Sequence, residues 1–324
     1  MLKSLFFLST VAILPLCARG AGGGPTEQHA KAEGMQTPWF TGPLLCPSSH
    51  TVTKGHMNIE PYFYGIKNYG LYDHNWHPRS ASHIDIFNPL VFIQAGISKK
   101  MGGKVLVQGF YTKNGDEHAW RFGDLPVGFD YQILMDVPGK SHPAIKFSFY
   151  EILPTGKYQK LNPHKKGTDA SGSGSFISVP GIVFGRLFHF SGIHFLATRL
   201  AFSYAIPAPV HVKGLNTYGG TTHTRGKVHP GNLFTGTLGL EYSLTQNWVL
   251  ACDVQTTYRN KTRFSGHTGG APVSPPSGSQ WSVAPAIEYN WNANWGVIGG
   301  VWWDVAGRNT PQFVSGVIAI NYYK

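Results

Sequence analysis

From about residue 56 onward the chain alternates apolar and polar side chains with a period of two, in many short segments rather than a few long ones. In one of them Leu238, Leu240, Tyr242 and Leu244 share one side, and Gly239, Glu241 and Ser243 the other. In the next, Trp248, Leu250, Cys252 and Val254 alternate with Asp253 and Gln255. Further on, Trp281, Val283, Ile287 and Tyr289 alternate with Ser282, Ala284, Glu288 and Asn290. Successive side chains of a strand point to opposite faces, so this period belongs to strands whose two faces meet different surroundings. Stripes at helical spacing are scarce. The pattern predicts strands over 56–64, 83–98, 104–113, 122–135, 143–153, 176–190, 194–206, 232–244, 247–259, 279–290, 295–305 and 311–323.

The connections between these segments differ in length in a regular way. Those at 65–82, 154–175, 207–231 and 260–278 are long, while those at 99–103, 191–193, 245–246 and 291–294 are short. A soluble β-sandwich has no reason to alternate tight turns with long loops, and no blade-length repeat supports a propeller. In an outer-membrane barrel the alternation follows from topology: strands run up and down, periplasmic turns are tight and extracellular loops are long. Hydrocarbon offers no water to an open sheet edge, so a sheet there must close on itself, one face toward lipid and the other toward the lumen. The expected fold is therefore an all-β, antiparallel, up-and-down transmembrane barrel of about twelve strands, an even number that places both chain ends on the periplasmic side. Trp248, Trp291 and Trp295, each at a short turn, are expected to form a periplasmic aromatic belt.

Composition agrees with this and removes other classes. Charged residues are 13% and aromatic ones 14%, with 40 glycines in 324 residues, a profile opposite to that of disordered chains. Mean hydropathy is −0.14 and no apolar run approaches the roughly 18 residues that a spanning helix needs, which excludes a helical membrane bundle. Residues 1–20 combine Lys3, an apolar stretch from Leu5 to Leu16 and the small-x-small triplet Ala18-Arg19-Gly20, and are expected to be a cleaved export signal. A lipoprotein reading at Cys17 is disfavoured because Leu16 is not small. Residues 21–55 are polar and broken by Pro25, Pro38, Pro43 and Pro47, and are expected to be a periplasmic arm or plug ahead of a barrel over 56–324. Cys46 and Cys252 remain, either as one optional disulfide or as two inert thiols.

With apolar side chains turned outward, the expected lumen-lining set is Asn58, Glu60, Asp130, Gln132, Lys146, Arg199, Glu241, Asp253, Gln255, Glu288 and Asp304, mostly acidic. Such a set either orders a permeating solute, with Lys146 and Arg199 as cationic handles, or fills the interior by pairing acid to base; filling is favoured because small barrels are packed with their own side chains. Segments 83–98 and 176–190 are apolar on both faces, so the pattern assigns them no inner side. The net charge of +11, which loses Lys3 and Arg19 with the signal, then gathers in the loops. Lys157, Lys160, Lys165, Lys166, Lys213, Arg225, Lys227, Lys261 and Arg263 are expected to form an extracellular basic rim. Such a rim attracts the phosphates of lipopolysaccharide and outer-membrane lipid or draws anionic solutes to the mouth, the first being the simpler role. Nucleic acid is not an expected partner, because no compact basic and aromatic motif accompanies the charge.

Catalysis is not expected. His74-Asn75-Trp76-His77, with His50, His56 and His83, lacks metal-ligand spacing, so neither a metal nor any other cofactor is implied. Among rim serines and histidines, Ser173, Ser175, His223 and His229 are the only candidates for an ester-hydrolysing pair, and they carry no motif.

Several short stretches, Thr41-Gly42-Pro43-Leu44-Leu45, Gly123-Asp124-Leu125 with Gly128 and Tyr131-Gln132, Pro154-Thr155-Gly156-Lys157-Tyr158, the run Gly167 to Gly174, Glu241-Tyr242 and Asn247-Trp248, give the chain a resemblance. It is similar to the MetA-pathway of phenol degradation family of outer-membrane proteins, labelled as transporters. The resemblance implies an outer-membrane channel or transporter and carries over no catalytic residue. The expected function is passive passage of small solutes, aromatic or hydrophobic ones among them. The alternatives are a non-conducting structural or adhesion barrel that binds lipid or host surface through its basic loops, and an outer-membrane lipid hydrolase.

Overall fold

The computed structural model describes residues 38–136 and 141–324. The expected export signal and the first part of the expected arm lie outside the described residues.

The strands follow in chain order as β1 (Met57–Tyr72), β2 (Pro78–Gly96), β3 (Met101–Asn114), β4 (Glu117–Phe122), β5 (Leu125–Leu134), β6 (Ala144–Leu153), β7 (Ile177–Ser191) and β8 (His194–Pro207). They continue as β9 (Val210–Lys213), β10 (Arg225–His229), β11 (Leu233–Ser243), β12 (Trp248–Arg259), β13 (Arg263–His267), β14 (Gly278–Asn290), β15 (Trp295–Arg308) and β16 (Pro311–Tyr323). Neighbours in the large sheet pair antiparallel, and β1 meets both β2 and β16 while β2 also meets β3, so the sheet closes on itself as a barrel of 12 strands. β4 is a short extra strand paired to the far end of β3. β9, β10 and β13 form a separate three-stranded sheet beyond the long-loop end. The closing seam is sealed by Met57 and Lys324, each donating its backbone N–H to the other's carbonyl, at 2.7 and 2.9 Å.

The alternation explains the two surfaces. Phe63 and Phe87, Phe202 and Phe234, and Trp281 and Val301 are exposed on the outside, where lipid would cover them, while their neighbours in sequence are turned in. Trp248, Trp291 and Trp295 are exposed at the short-turn end, where Trp248 and Trp291 flank Tyr289 and Trp295 packs on Tyr322 at 4.3 Å between centroids.

Two features depart from the sequence pattern. The expected long loop over 65–82 is mostly strand, because β1 runs 16 residues and β2 19, beyond the 9–11 or so that hydrocarbon requires. The extra length is held by ladder bonds between β1 and β2 and, on the other edge of β1, by pairing with β16 up to Leu71 and a bond from the Tyr72 amide to the Thr310 carbonyl, while polar residues such as Asn68, Arg79 and Ser80 gave no strand signal. Its turn is held by Asp73, which accepts from the Asn75 and His77 amides at 2.8 and 3.0 Å and pairs with Arg79 at 2.9 Å. Second, β15 and β16 are joined at the long-loop end by a tight connection in which Asn309 takes a left-handed φ of 52°.

Candidate functional site

The segment before β1 does not lie outside the barrel. Phe40 through Ser49 are all buried, and their partners are inward side chains of strands on different sides of the wall. Thr41 donates its N–H to Glu288 on β14 at 2.8 Å and its hydroxyl to Asn290 at 2.7 Å. Leu45 and Cys46 both donate backbone N–H groups to the carboxylate of Asp253 on β12, each at 3.0 Å. Gln132 on β5 accepts from the Thr51 amide at 2.8 Å and donates to the Ser49 carbonyl at 3.0 Å. A segment that touches β5, β12 and β14 at once can only run through the interior. It enters beside the turn after β11, where Trp39 donates to the Gln246 carbonyl, and rises to Leu44–Cys46. It then returns past Gln132 to the rim at Gly96, against which Thr53 is packed.

The wall is shaped for this path. A Cβ added to Gly239 would lie 2.6 Å from the Cys46 Cβ and 2.8 Å from the Pro43 ring; one at Gly296 would meet the Thr41 hydroxyl at 2.3 Å, and one at Gly300 the Leu44 side chain at 2.8 Å. Gly185 stands in the same relation to Ser49. Glycine in the interior of a strand weakens it, and a common reason for keeping one is close approach of another chain segment. Here the glycines form a trough in which the arm lies.

The polar residues drawn from the alternation, Asn58, Glu60, Asp130, Gln132, Lys146, Arg199, Glu241, Asp253, Gln255, Glu288 and Asp304, are all buried on the inner strand faces. Glu288, Asp253 and Gln132 bind the arm, and Lys146 donates to the His50 carbonyl at 3.4 Å. Arg199 pairs with Glu241 at 2.6 Å. Gln255 donates to the Thr237 hydroxyl at 3.2 Å, and Asp304 accepts from the Phe313 amide. Lys104, absent from that set, pairs with Asp130 at 2.5 Å opposite Lys146 at 3.3 Å. It opens its segment beside the unbroken apolar run Val105-Leu106-Val107, where alternation is locally absent.

Turning every apolar side chain outward also hid an apolar wall. Tyr62, Tyr64, Phe92, Leu106, Trp302 and Phe313 are buried inside, in one cluster with Leu44 and Leu45 of the arm. The interior is thus polar where β5, β12 and β14 grip the arm, whereas along β1–β3 and β15–β16 these apolar side chains alternate with buried polar ones such as Asn58, Glu60, Asn88, Gln108 and Asp304. A small, partly open cavity of about 10 Å³, room for about one water, lies beside Pro47, between Tyr150, Val183, Ala201 and Thr237.

At the opposite end the long loops interlock. Asp124 accepts from the Gly156 amide at 2.9 Å, the Ser173 amide at 2.7 Å and the Ser173 hydroxyl at 2.9 Å. Tyr218 donates its hydroxyl to the Ser173 carbonyl at 2.7 Å, and Ser175 donates to the Ala208 carbonyl at 2.5 Å. Gly220 donates its N–H to Pro272 in the third loop at 3.0 Å. Burial holds the Asp124 carboxyl above its usual range against these three donors. Ser173 and Ser175 therefore have backbone and carboxylate partners, whereas His223 and His229 are exposed, so these residues are not brought together as a hydrolytic pair. Among the described residues no group of three His, Cys, Asp or Glu side chains is placed to hold a metal ion. Cys46 is buried and Cys252 half-buried, both as free thiols.

Of the rim cations, Lys157 pairs with Asp169 at 2.6 Å and Lys165 with Glu117 at 3.0 Å. Lys160, Lys166 and Lys261 are exposed in loops, while Lys213, Arg225, Lys227 and Arg263 lie on β9, β10 and β13.

No protein-family model matches the sequence, and no curated protein is similar to it. The fold is similar to the crystal structure of the COG4313 outer-membrane channel from Pseudomonas putida F1, with a TM-score of 0.68 and 12% identity over 86% of this chain and 98% of that one. Matches to the NanC porin (TM-score 0.44, 9% identity, 80% and 98% of the two chains) and to the translocator domain of autotransporter NalP from Neisseria meningitidis (0.45, 12%, 99% and 99%) are too distant to bear on the site. By fold, the chain is an outer-membrane β-barrel.

Proposed function

We propose that the protein is an outer-membrane channel for passive passage of small solutes and that residues 38–53 are its displaceable plug. The observation behind this is the way the arm is seated. It precedes the first strand, and it is bound by inward carboxylates and an amide rather than by the strand ladder. The barrel closes through β1 and β16 without it, so the arm can leave while every wall hydrogen bond stays made. The apolar wall of Tyr62, Phe92, Leu106 and Trp302 favours aromatic or hydrophobic solutes over sugars, since a solute that follows it need not hold its hydration shell. The channel structure from Pseudomonas putida F1 has the same fold, which is compatible with this role. Export by residues 1–20, an outer-membrane location and the absence of catalysis belong to the same reading.

The test is conductance in planar bilayers of the full chain and of a chain lacking residues 38–53, with liposome swelling in phenols and in sugars of similar size. The reading expects low, flickering conductance from the full chain, a severalfold rise on deletion and faster swelling in phenols. A deleted protein that folds as a barrel and still passes nothing would leave the adhesion role in its place.

A further inference from the structure

Strands β9, β10 and β13 continue the barrel wall beyond the membrane. β9 follows β8, β10 leads into β11 and β13 follows β12, so the small sheet keeps the order of the wall strands beneath it. Asn260 extends the β11–β12 ladder upward by donating to the Asn232 carbonyl at 2.9 Å. One face of the sheet carries Val210, Val212 and Val228, buried against Tyr218 and Val273 of the interlocked loops. The other face is exposed and of a different character. Cross-strand pairing sets Lys213, Arg225 and His267 in one row, His211 and Lys227 in the next, and His229 opposite Arg263 in the third.

Residues directly opposite in antiparallel strands share a face with their Cβ atoms about 5 Å apart, and like charges so placed repel. Nothing nearby relieves them. The chain has no Asp or Glu between Asp169 and Glu241 or between Asp253 and Glu288, and none of these side chains makes an ion pair among the described residues. Four permanent cations stacked without an acid are stable neighbours when an external polyanion screens them. The wall strands that lead into this sheet, β8, β11 and β12, are greasy outside: Phe202, Tyr204, Ile206, Phe234 and Tyr258 are exposed on them. A cationic band above an apolar one is complementary to an amphiphile with acyl chains below and phosphates above.

We propose that the outward face of the β9–β10–β13 sheet docks a bisphosphorylated glycolipid of the lipopolysaccharide type, its phosphates on Lys213, Arg225, Lys227 and Arg263 and its acyl chains along Phe202, Tyr204 and Phe234. The guanidinium groups of Arg225 and Arg263 suit bidentate contact with phosphate oxygens, and the lysines add point charge. This site is on the outside of the wall and is independent of whether the barrel conducts.

The test titrates fluorescent bisphosphorylated lipid A, and its dephosphorylated counterpart with the same acyl chains, into the purified full chain in neutral detergent. The wild type should favour the phosphorylated lipid by about tenfold or more, a preference that shrinks as salt is raised. Neutralising the face (K213Q/R225Q/K227Q/R263Q) should bring the two lipids within about twofold of each other, whereas K213R/K227R, which keeps the charge, and K99Q/K100Q, at the opposite rim, should retain the preference. If the fourfold variant fails to fold as a heat-modifiable barrel, R225Q/R263Q replaces it with the same expectation. A preference that survives neutralisation, an equal loss from K99Q/K100Q, or competition by inorganic phosphate as effective as that by the lipid would each overturn the proposal, the last by making the face a solute-anion site.

Discussion

The arm fills the interior from the short-turn rim and the outer loops close the opposite end, and the chain holds the two in different ways. The arm leads directly into β1 and is seated by side-chain acceptors, chiefly Asp253, Glu288 and Gln132. The loops are anchored at both ends in strands and bound to one another through Asp124, Ser173, Tyr218 and Pro272. Releasing the arm breaks its bonds to Glu288, Asn290, Asp253, Gln132 and Lys146 and bares Leu44 and Leu45, but it moves a single segment. Releasing the loops requires three segments to part together, each still tied to the wall. The arm is consequently the element whose equilibrium a small perturbation can shift, and the loops are the more cooperative unit.

Three substitutions sharpen this contrast. The largest effect is expected from Asp253→Ala, which leaves the Leu45 and Cys46 amides without their acceptor. Each such bond is worth about 0.5–1.5 kcal/mol net, so loss of both should raise the opening of the arm by up to about a hundredfold. Maleimide labelling of Cys46, in a background where Cys252 is Ser, measures that opening; unchanged labelling would mean that the arm is held elsewhere. A smaller effect of the same sign, about tenfold, is expected from Gly239→Val, whose new methyl groups intrude on Cys46 and Pro43 while the strand itself keeps its ladder. If Gly239→Val left labelling as slow as in the wild type, the trough would not be what seats the arm.

The smallest effect is expected at the other end. Asp124→Ala strands the Gly156 and Ser173 donors, yet the loops keep Tyr218 and the bonds to the third segment, so only local proteolysis within 156–176 should rise, a few-fold, with arm labelling unaltered. The same carboxyl sets a pH dependence. Its raised value in the closed loop means that closing takes up a proton, so Asp124 contributes most below the ordinary carboxylate range, loses that contribution as pH rises through the raised value, and is level above it. Hydrogen exchange at the Ser173 amide, corrected for its intrinsic rate, should follow that course in the wild type and become flat in Asp124→Ala. An arm that responded to Asp124→Ala as strongly as to Asp253→Ala would show that the two ends are coupled rather than independent.

Much of this was readable in the chain. Gly123-Asp124-Leu125, Pro154 to Tyr158 and the run to Gly174 are separate short motifs, yet they meet at one point, where Asp124 binds Gly156 and Ser173 and where a Cβ on Gly172 would strike Gly156. Thr41 to Leu45 is likewise the part of the arm that meets Glu288 and Asp253, and Gln132 holds its later residues Ser49 and Thr51. The motifs mark close contacts between distant segments, although nothing in them says which segment meets which. Lys104 and the apolar inner wall were hidden for different reasons: turning every apolar side chain outward passes over inward ones such as Tyr62 and Trp302, and Lys104 stands beside the unbroken apolar run Val105-Leu106-Val107, where alternation carries no sign.

The sequence by itself determined that the chain forms a dozen alternating strands with tight turns at one rim and long loops at the other, because alternation, turn residues and rim tryptophans are local properties of a few consecutive residues. Only the tertiary structure decided what fills the cylinder. Thr41 meets Glu288 across 247 residues and Cys46 meets Asp253 across 207, and contacts so remote leave no periodic trace in either partner; they exist because ring closure brings opposite walls within reach of one short segment, whose amides must find acceptors once water is excluded.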